Sequence, residues 1–163
     1  MNGQLRIGEE VRDALASGGA VVALESTLLA HGLPFPENEE LARELNAIIR
    51  GVGAVPATVA VVAGEPIVGL DDAGMARLVR SHGMAKLSAR DLPLAMARGS
   101  DGATTVASTA ALSAAVGIKT FATGGLGGVH RGARGVLARR VHADPLDQRT
   151  VIVITSGPGF ASA

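Results

Sequence analysis

Four short runs of continuous apolar residues constrain this chain more than any other feature. They are "AVVALE" at 20–25, "ATVAVVAG" at 57–64, "IKTFATGG" at 118–125 and "TVIVITSG" at 150–157. Each has the length and β-branched content of a strand but no regular polar alternation. A strand without a polar face is covered on both sides, which is the pattern of a sheet with helices packed on each face. The intervening segments supply those helices. "LRIGEEVRDALAS", 5–17, sets Leu5, Val11 and Leu15 on one helical face and stops at Gly18-Gly19. "ENEELARELNAIIRGVG", 37–53, opens behind Pro36 with acids in its first turn and Arg50 near its end, both favourable to the helix dipole. Its expected buried stripe is Leu41, Leu45, Ile48 and Ile49. "DDAGMARLVRSHG" reads as a helix N-capped by Asp71, and "EPIVGL" as the hairpin partner of 57–64. "MAKLSA" reads as extended, "RDLPLAMARGS" and "TTVASTAALSAAVG" as helices, and "STLLAHGLPFP", 26–36, as a loop. The expected fold is a single three-layer α/β/α domain over 1–163 with a mixed, mostly buried sheet. It ends on "GPGFASA" with no covering helix, so the α/β unit is expected to be incomplete at its C-terminus.

Charge narrows the function classes. Fifteen basic residues balance 15 acidic ones, which argues against a binder of nucleic acid polymers or anionic membranes. No run reaches the roughly 18 apolar residues of a membrane span, and "MNGQLRIGEEVRDAL" lacks a signal-peptide core. Cysteine is absent, so neither disulfides nor thiol chemistry are available. With three Phe and no Trp or Tyr, few rings could stack on a base. The expectation is a soluble, cytoplasmic protein with a small-molecule partner.

Four places could carry chemistry. Glu25 closes an apolar strand and precedes Ser26-Thr27. A carboxylate there opens toward the crevice where α/β sheets bind ligands and suits proton transfer; the alternative is a solvated strand-end acid. Lys86 lies within "AKLSARD", with Ser88, Arg90 and Asp91 close behind. Cations so spaced suit a phosphate, or else Lys86 is a surface lysine and Asp91 a helix cap. In "GATTVAST", 102–109, a glycine and the hydroxyls of Thr104, Thr105 and Ser108 open a helix, as in a phosphate cradle or an ordinary helix start. No Gly-Lys-Ser/Thr follows, so it is not a Walker loop. Finally "ATGGLGGVHRGA", 122–133, presents His130 and Arg131 behind glycines that let backbone approach a ligand. Together these describe a small-molecule phosphate site.

The motifs "VVALESTLLAHGLPFPEN", "GAVPATVAVVAGEPIVGL", "AKLSARDLP" and "GATTVASTAALSAAVGIKTFATGGLGGVHRGA", in that order, resemble the pseudouridine-5'-phosphate glycosidase family, which includes the indigoidine synthase A proteins. The similarity runs from about residue 5 to Ala133. It implies reversible cleavage of the C–C glycosidic bond of pseudouridine 5'-phosphate to uracil and ribose 5-phosphate. A carbon leaving group defeats the usual two-carboxylate scheme, and the resemblance implies a lysine Schiff base as electron sink, a divalent metal, usually Mn2+, and a homotrimer. By the same resemblance Glu25 is the proton donor, Lys86 and Val106 contact substrate, and His130 is an active-site residue.

Past Ala133 the family pattern breaks, over 134–163. Aligned without gaps, the metal-binding aspartate position reads Ala138, and a small shift would bring Asp144 over an aspartate of the family's next motif. The nucleophilic lysine position reads Gly159, and no lysine follows Lys119. A frameshift near residue 134 is one explanation. The alternative function is therefore a catalytically dead fragment or a phosphosugar-binding remnant.

Overall fold

The computed structural model describes residues 5–124 and 152–155. One mixed sheet holds β1 (Arg6–Ile7), β2 (Val21–Glu25), β3 (Val55–Val62), β4 (Glu65–Val68), β5 (Ala85–Leu87), β6 (Gly102–Thr104), β7 (Thr120–Thr123) and β8 (Ile152–Thr155). Its main path runs β1-β4-β3-β2-β7-β8, with β6 on β3 and β5 on β6. Six helices accompany it: α1 (Glu9–Ala16), α2 (Thr27–His31), α3 (Glu37–Gly51), α4 (Asp72–Arg80), α5 (Leu92–Arg98) and α6 (Val106–Ala115). The three-layer α/β/α arrangement with a mixed sheet is as the sequence leads one to expect.

Strand alternation divides the core. Val21, Ala23, Ala57, Val59 and Phe121 pack with Val11 of α1 and Ala110 of α6. On the other face Leu24 meets Ile49 of α3, and Ala60 meets Leu29, Ala42 and Leu78 from α2, α3 and α4. Each strand is apolar throughout because each face has its own helices. The small buried residues of α6, Ser108, Thr109, Ala110, Ser113 and Ala114, suit close approach to the sheet.

Four expectations are corrected. The segment 26–36 is not all loop, because five of its residues form α2. Gly102–Thr104 forms a strand rather than the approach to a helix, and Arg6–Ile7 pairs with β4 rather than joining α1. All three elements are shorter than the periods by which helices and strands are recognised. Ile48 is 58% exposed, not buried. The inward face of α3 instead runs through Asn38, Ala42 and Ile49, with Leu45 half-buried between them, a spacing of three or four that leaves Ile48 on the outer side. The hairpin and the Asp71 cap are as expected: Asp71 Oδ1 accepts from Gly74 N at 2.7 Å. The β3–β4 turn is built on Ala63 and Gly64, with φ of 51° and 79°, the left-handed pair that a two-residue hairpin requires.

The sheet contains a seam. β2 runs parallel to β3 from Val21↔Val55 to Glu25↔Val59. β4 pairs with the other edge of β3 over Val59–Val62. β6, antiparallel to β3 at Ala60↔Ala103 and Val61↔Gly102, must then share the edge that β2 occupies. β2 and β6 therefore meet end to end, C-terminus to C-terminus. A ladder that changes partner needs other groups to satisfy its backbone, and hydroxyls supply them. Ser26 Oγ accepts from Thr104 N at 2.7 Å, and Thr104 Oγ1 donates to the Val59 carbonyl at 2.5 Å. Thr109 Oγ1 donates to Thr104 Oγ1 at 2.9 Å, with Ser26 Oγ 3.2 Å away. Ser26, Thr104 and Thr109 are wholly buried.

Two predictions follow from this packing. Ser26→Ala and Thr104→Val each leave a buried backbone group unpaired and should destabilise the fold by about 1–3 kcal/mol. Urea unfolding measures this, and the double variant should cost less than the sum because the two share one network. The second concerns pH. Burial pushes the Asp101 carboxyl up, but hydrogen bonds from Ala63 N and the Arg77 guanidinium, with its charge, outweigh this and hold it below the ordinary range. A carboxyl lowered by folding stabilises above its unfolded pKa, about 3.9, and loses that effect as pH falls through the lower folded value. Asp101→Asn should therefore be less stable than the parent at neutral pH, and the gap should narrow as the solution is acidified below about pH 4.

Candidate functional site

The strand ends gathered at the seam carry the residues singled out in the sequence. β2 ends in Glu25. β6 ends at Thr104, which is in register with Leu87, the end of β5. β7 ends at Thr123, one residue beyond Ala122, which is in register with Leu24. Ligands of α/β sheets bind outside the carboxyl ends of strands where the strand order switches. The seam is such a place.

Glu25 is half-buried there. Its Oε2 accepts from Thr27 Oγ1 at 2.7 Å, and its Oε1 accepts from Thr123 Oγ1. It lines a cleft of about 420 Å³ whose walls include Leu24, Leu28, Leu29, Leu41 and Leu45, with Asn46, Thr58 and Thr123 as further polar lining residues. An acid among leucines, with both oxygens hydrogen-bonded, is arranged to handle a proton at a fixed position.

The other residues lie one strand away. Lys86 is exposed on β5 and is not among the lining residues of the cleft. Ser88 donates from its N–H at 2.9 Å and from Oγ at 2.7 Å to Asp91 Oδ2. These two hydrogen bonds, the hydroxyl's first, with the Arg90 charge beside them, hold the Asp91 carboxyl below the usual carboxylate range. Arg90 Nε stands 3.8 Å from Asp91 Oδ1, and its side chain is 89% exposed. The β5 end is tied to the start of α6: Thr105 N and Ser108 Oγ both donate to the Leu87 carbonyl, at 3.0 and 2.6 Å. Thr105 N-caps α6 with half-buried Val106 following as its first residue. The first N–H groups of a helix have no partner within it, and they open here beside Lys86 and Ser88.

The structure thus brings Glu25, Thr105, Val106, Ser88 and Lys86 to one end of the sheet. Thr104 is placed differently from Thr105: its hydroxyl faces inward and is engaged in the seam. His130 and Asp144 lie outside the described residues, as do Arg131, Ala138 and Gly159. Among the described residues no group of three His, Asp or Glu side chains could hold a metal ion. Sequence reasoning missed Thr27 and Thr123 as partners of Glu25. The adjacency of Thr27 in "LEST" was a usable signal; Thr123, 98 residues away, offered none.

Comparison with known proteins gives the family. Residues 10–160 match the family model described as indigoidine synthase A like protein. The chain is 52% identical over 153 residues to pseudouridine-5'-phosphate glycosidase of Salinispora tropica, covering 94% of this chain and 47% of that protein. It is 48% identical to the protein of the same name from Hahella chejuensis, over 96% of this chain and 52% of that one. The chain spans about half the length of the curated relatives it matches. Among solved structures it resembles the prealnumycin C-glycosynthase AlnA in complex with ribulose 5-phosphate, with a TM-score of 0.76 and 37% identity over 96% of this chain and 51% of that one. It also resembles an indigoidine synthase A-like protein from Thermotoga maritima, with a TM-score of 0.68 and 34% identity over 77% of this chain and 41% of that one. With a family model matching most of its length and relatives near 50% identity, the chain belongs to the indigoidine synthase A like protein family.

Proposed function

We propose that this chain carries the proton-handling and phosphate-holding part of a C-glycosidase site for pseudouridine 5'-phosphate. The reaction is cleavage of the C–C glycosidic bond with water to give uracil and ribose 5-phosphate, and its reverse. The observation that carries the reading is the 52% identity to a pseudouridine-5'-phosphate glycosidase over 94% of the chain. The ribulose 5-phosphate complex of AlnA gives it chemical support, since that relative, too, takes a pentose phosphate.

In this reading Glu25 serves as proton donor to the departing base. Lys86 and Arg90 face the phosphate with the Val106 N–H and the Thr105 hydroxyl, because cations beside a helix start suit a phosphate; Ser88, whose N–H and hydroxyl donate to Asp91, orders the turn beside them. Thr104 supports that wall from inside. His130 takes its active-site role by resemblance. Manganese belongs to the same proposal; the described residues offer it no ligand group, so no step is assigned to it. A homotrimer in the cytoplasm completes the reading, and no helix among the described residues is long and apolar enough to cross a membrane.

The covalent step favours a second reading for this chain taken alone. By the resemblance, laid without gaps, the position of the nucleophilic lysine falls on Gly159, and glycine has no side-chain amine with which to form an imine. Binding and cleavage are therefore separable: a phosphosugar-binding chain without turnover fits the same residues.

Two experiments address these readings. Lys86→Ala should weaken binding of ribose 5-phosphate by tenfold to a hundredfold, about 1.5–3 kcal/mol for one charge-assisted contact. Calorimetry reads this directly, and equal affinities would remove Lys86 from the site. Uracil release from pseudouridine 5'-phosphate with manganese should be far below that of the longer relatives, and borohydride with ribose 5-phosphate should leave no adduct. Sustained turnover abolished by Lys119→Ala would show that the amine comes from another position.

A further inference from the structure

Glu25 is the only acid lining the apolar cleft among the described residues, and hydroxyls from two different elements meet it. Thr27, the first residue of α2, donates to Oε2 at 2.7 Å. Thr123, the last residue of β7 and 7% exposed, donates to Oε1. We propose that Thr27 and Thr123 are positioning residues for Glu25, fixing the plane of its carboxylate through one hydrogen bond to each oxygen. The inference rests on the reading of Glu25 as the proton-handling group.

The physical case begins with the side chain's freedom. A glutamate has three torsions, and the last of them, which turns the carboxylate, is broad and two-fold. Burial of the stem restrains the first two; nothing apolar restrains the third. Two donors on separate elements do so, because rotation would break both bonds together. The donors are themselves stiff, since β-branching limits threonine at χ1. β2 and β7 are hydrogen-bonded neighbours in register at Leu24↔Ala122, so the Thr123 hydroxyl is carried by the sheet and not by a loop. Thr27 is held by the helix start behind Ser26, which is itself fixed in the seam. Each carboxylate oxygen has about two lone-pair sites. One hydrogen bond apiece leaves acceptor capacity on both for a ligand in the cleft.

This arrangement gives "EST" three adjacent but distinct tasks. Glu25 handles the proton, Ser26 closes the seam, and Thr27 orients Glu25. Threonine at 27 and 123 is then required for its hydroxyl, while its methyl adds stiffness and packing.

The experiment is carboxyl NMR on the whole chain labelled with 13C-glutamate. The Glu25 Cδ resonance is assigned by its disappearance in Glu25→Gln. Thr27→Val and Thr123→Val keep shape and remove the donor, and each should displace that resonance. Thr27→Ser and Thr123→Ser keep the donor and should restore it close to the parent position. A resonance unmoved in both valine variants would overturn the proposal, as would serine variants displaced as far as the valine ones, since the methyl would then be the group that matters. A second measurement needs no variant donor. In the parent, the Thr27 and Thr123 hydroxyl protons should be protected enough from exchange to be seen, and Glu25→Ala should abolish that protection. Hydroxyl protons that exchange freely in the parent would equally sink the idea. Binding of ribose 5-phosphate to the parent is measured beside these, and its absence would count against the reading of the site while leaving the clamp to be decided by the spectra.

Discussion

The point on which this structure depends is the head-on meeting of β2 and β6 along one edge of β3. Two strands that end against each other leave a break in the hydrogen-bond ladder, and a break in the middle of a buried sheet exposes backbone groups to no water. Ser26, Thr104 and Thr109 bridge it with hydroxyls that are wholly buried. Because both strands point their carboxyl ends at the seam, the loops that leave them open on the same side. One constraint of backbone chemistry therefore produces both the join in the sheet and the place where functional side chains collect.

That logic explains why neighbouring residues have unlike roles. Thr104 and Thr105 are adjacent hydroxyls at a strand-to-helix junction. The first points into the seam, because a strand turns successive side chains to opposite faces; the second stands at the N-cap position of α6 without a side-chain cap bond, 3.4 Å from Ser108 Oγ. Both looked alike as phosphate ligands. The reading of function at this end of the sheet is therefore strongest for groups whose polar atoms have not been claimed by the fold: the exposed amine of Lys86, the N–H groups that open α6, and the remaining acceptor sites of Glu25.

The large features were legible because they follow from periodicity and caps. β2, β3 and β7 are apolar runs, α3 and α4 have amphipathic patterns, and Asp71 is a side-chain cap. What escaped was short or distant. β1, β6 and α2 have two, three and five residues, fewer than any pattern needs, and each exists because a tertiary partner is in place: β4 for β1, β3 and β5 for β6, and the helices α3 and α4 for α2. Glu25 was legible as an acid at a strand end. Its bond to Thr123 was not, because strand order is a property of the folded sheet, and nothing in either segment announces that β2 and β7 are neighbours.

Separating the scaffold from the chemistry also clarifies what the family relationship can carry. Identity near one half over most of the chain carries the family and its fold, and the seam follows from packing within the described region. A covalent step depends on one amine at one place, and sequence identity elsewhere does not supply it. In the proposed reading, where the resemblance puts that position at Gly159, cleavage is separable from the fold and from ligand binding. A phosphate held by cations and helix N–H groups needs no nucleophile, whereas an imine needs an amine and an acid placed to within about an ångström of the reacting atoms. The clamp on Glu25 belongs to the second kind of requirement. A carboxylate held by two hydroxyls is more than phosphate binding demands, and within the proposed function that clamp belongs to proton transfer.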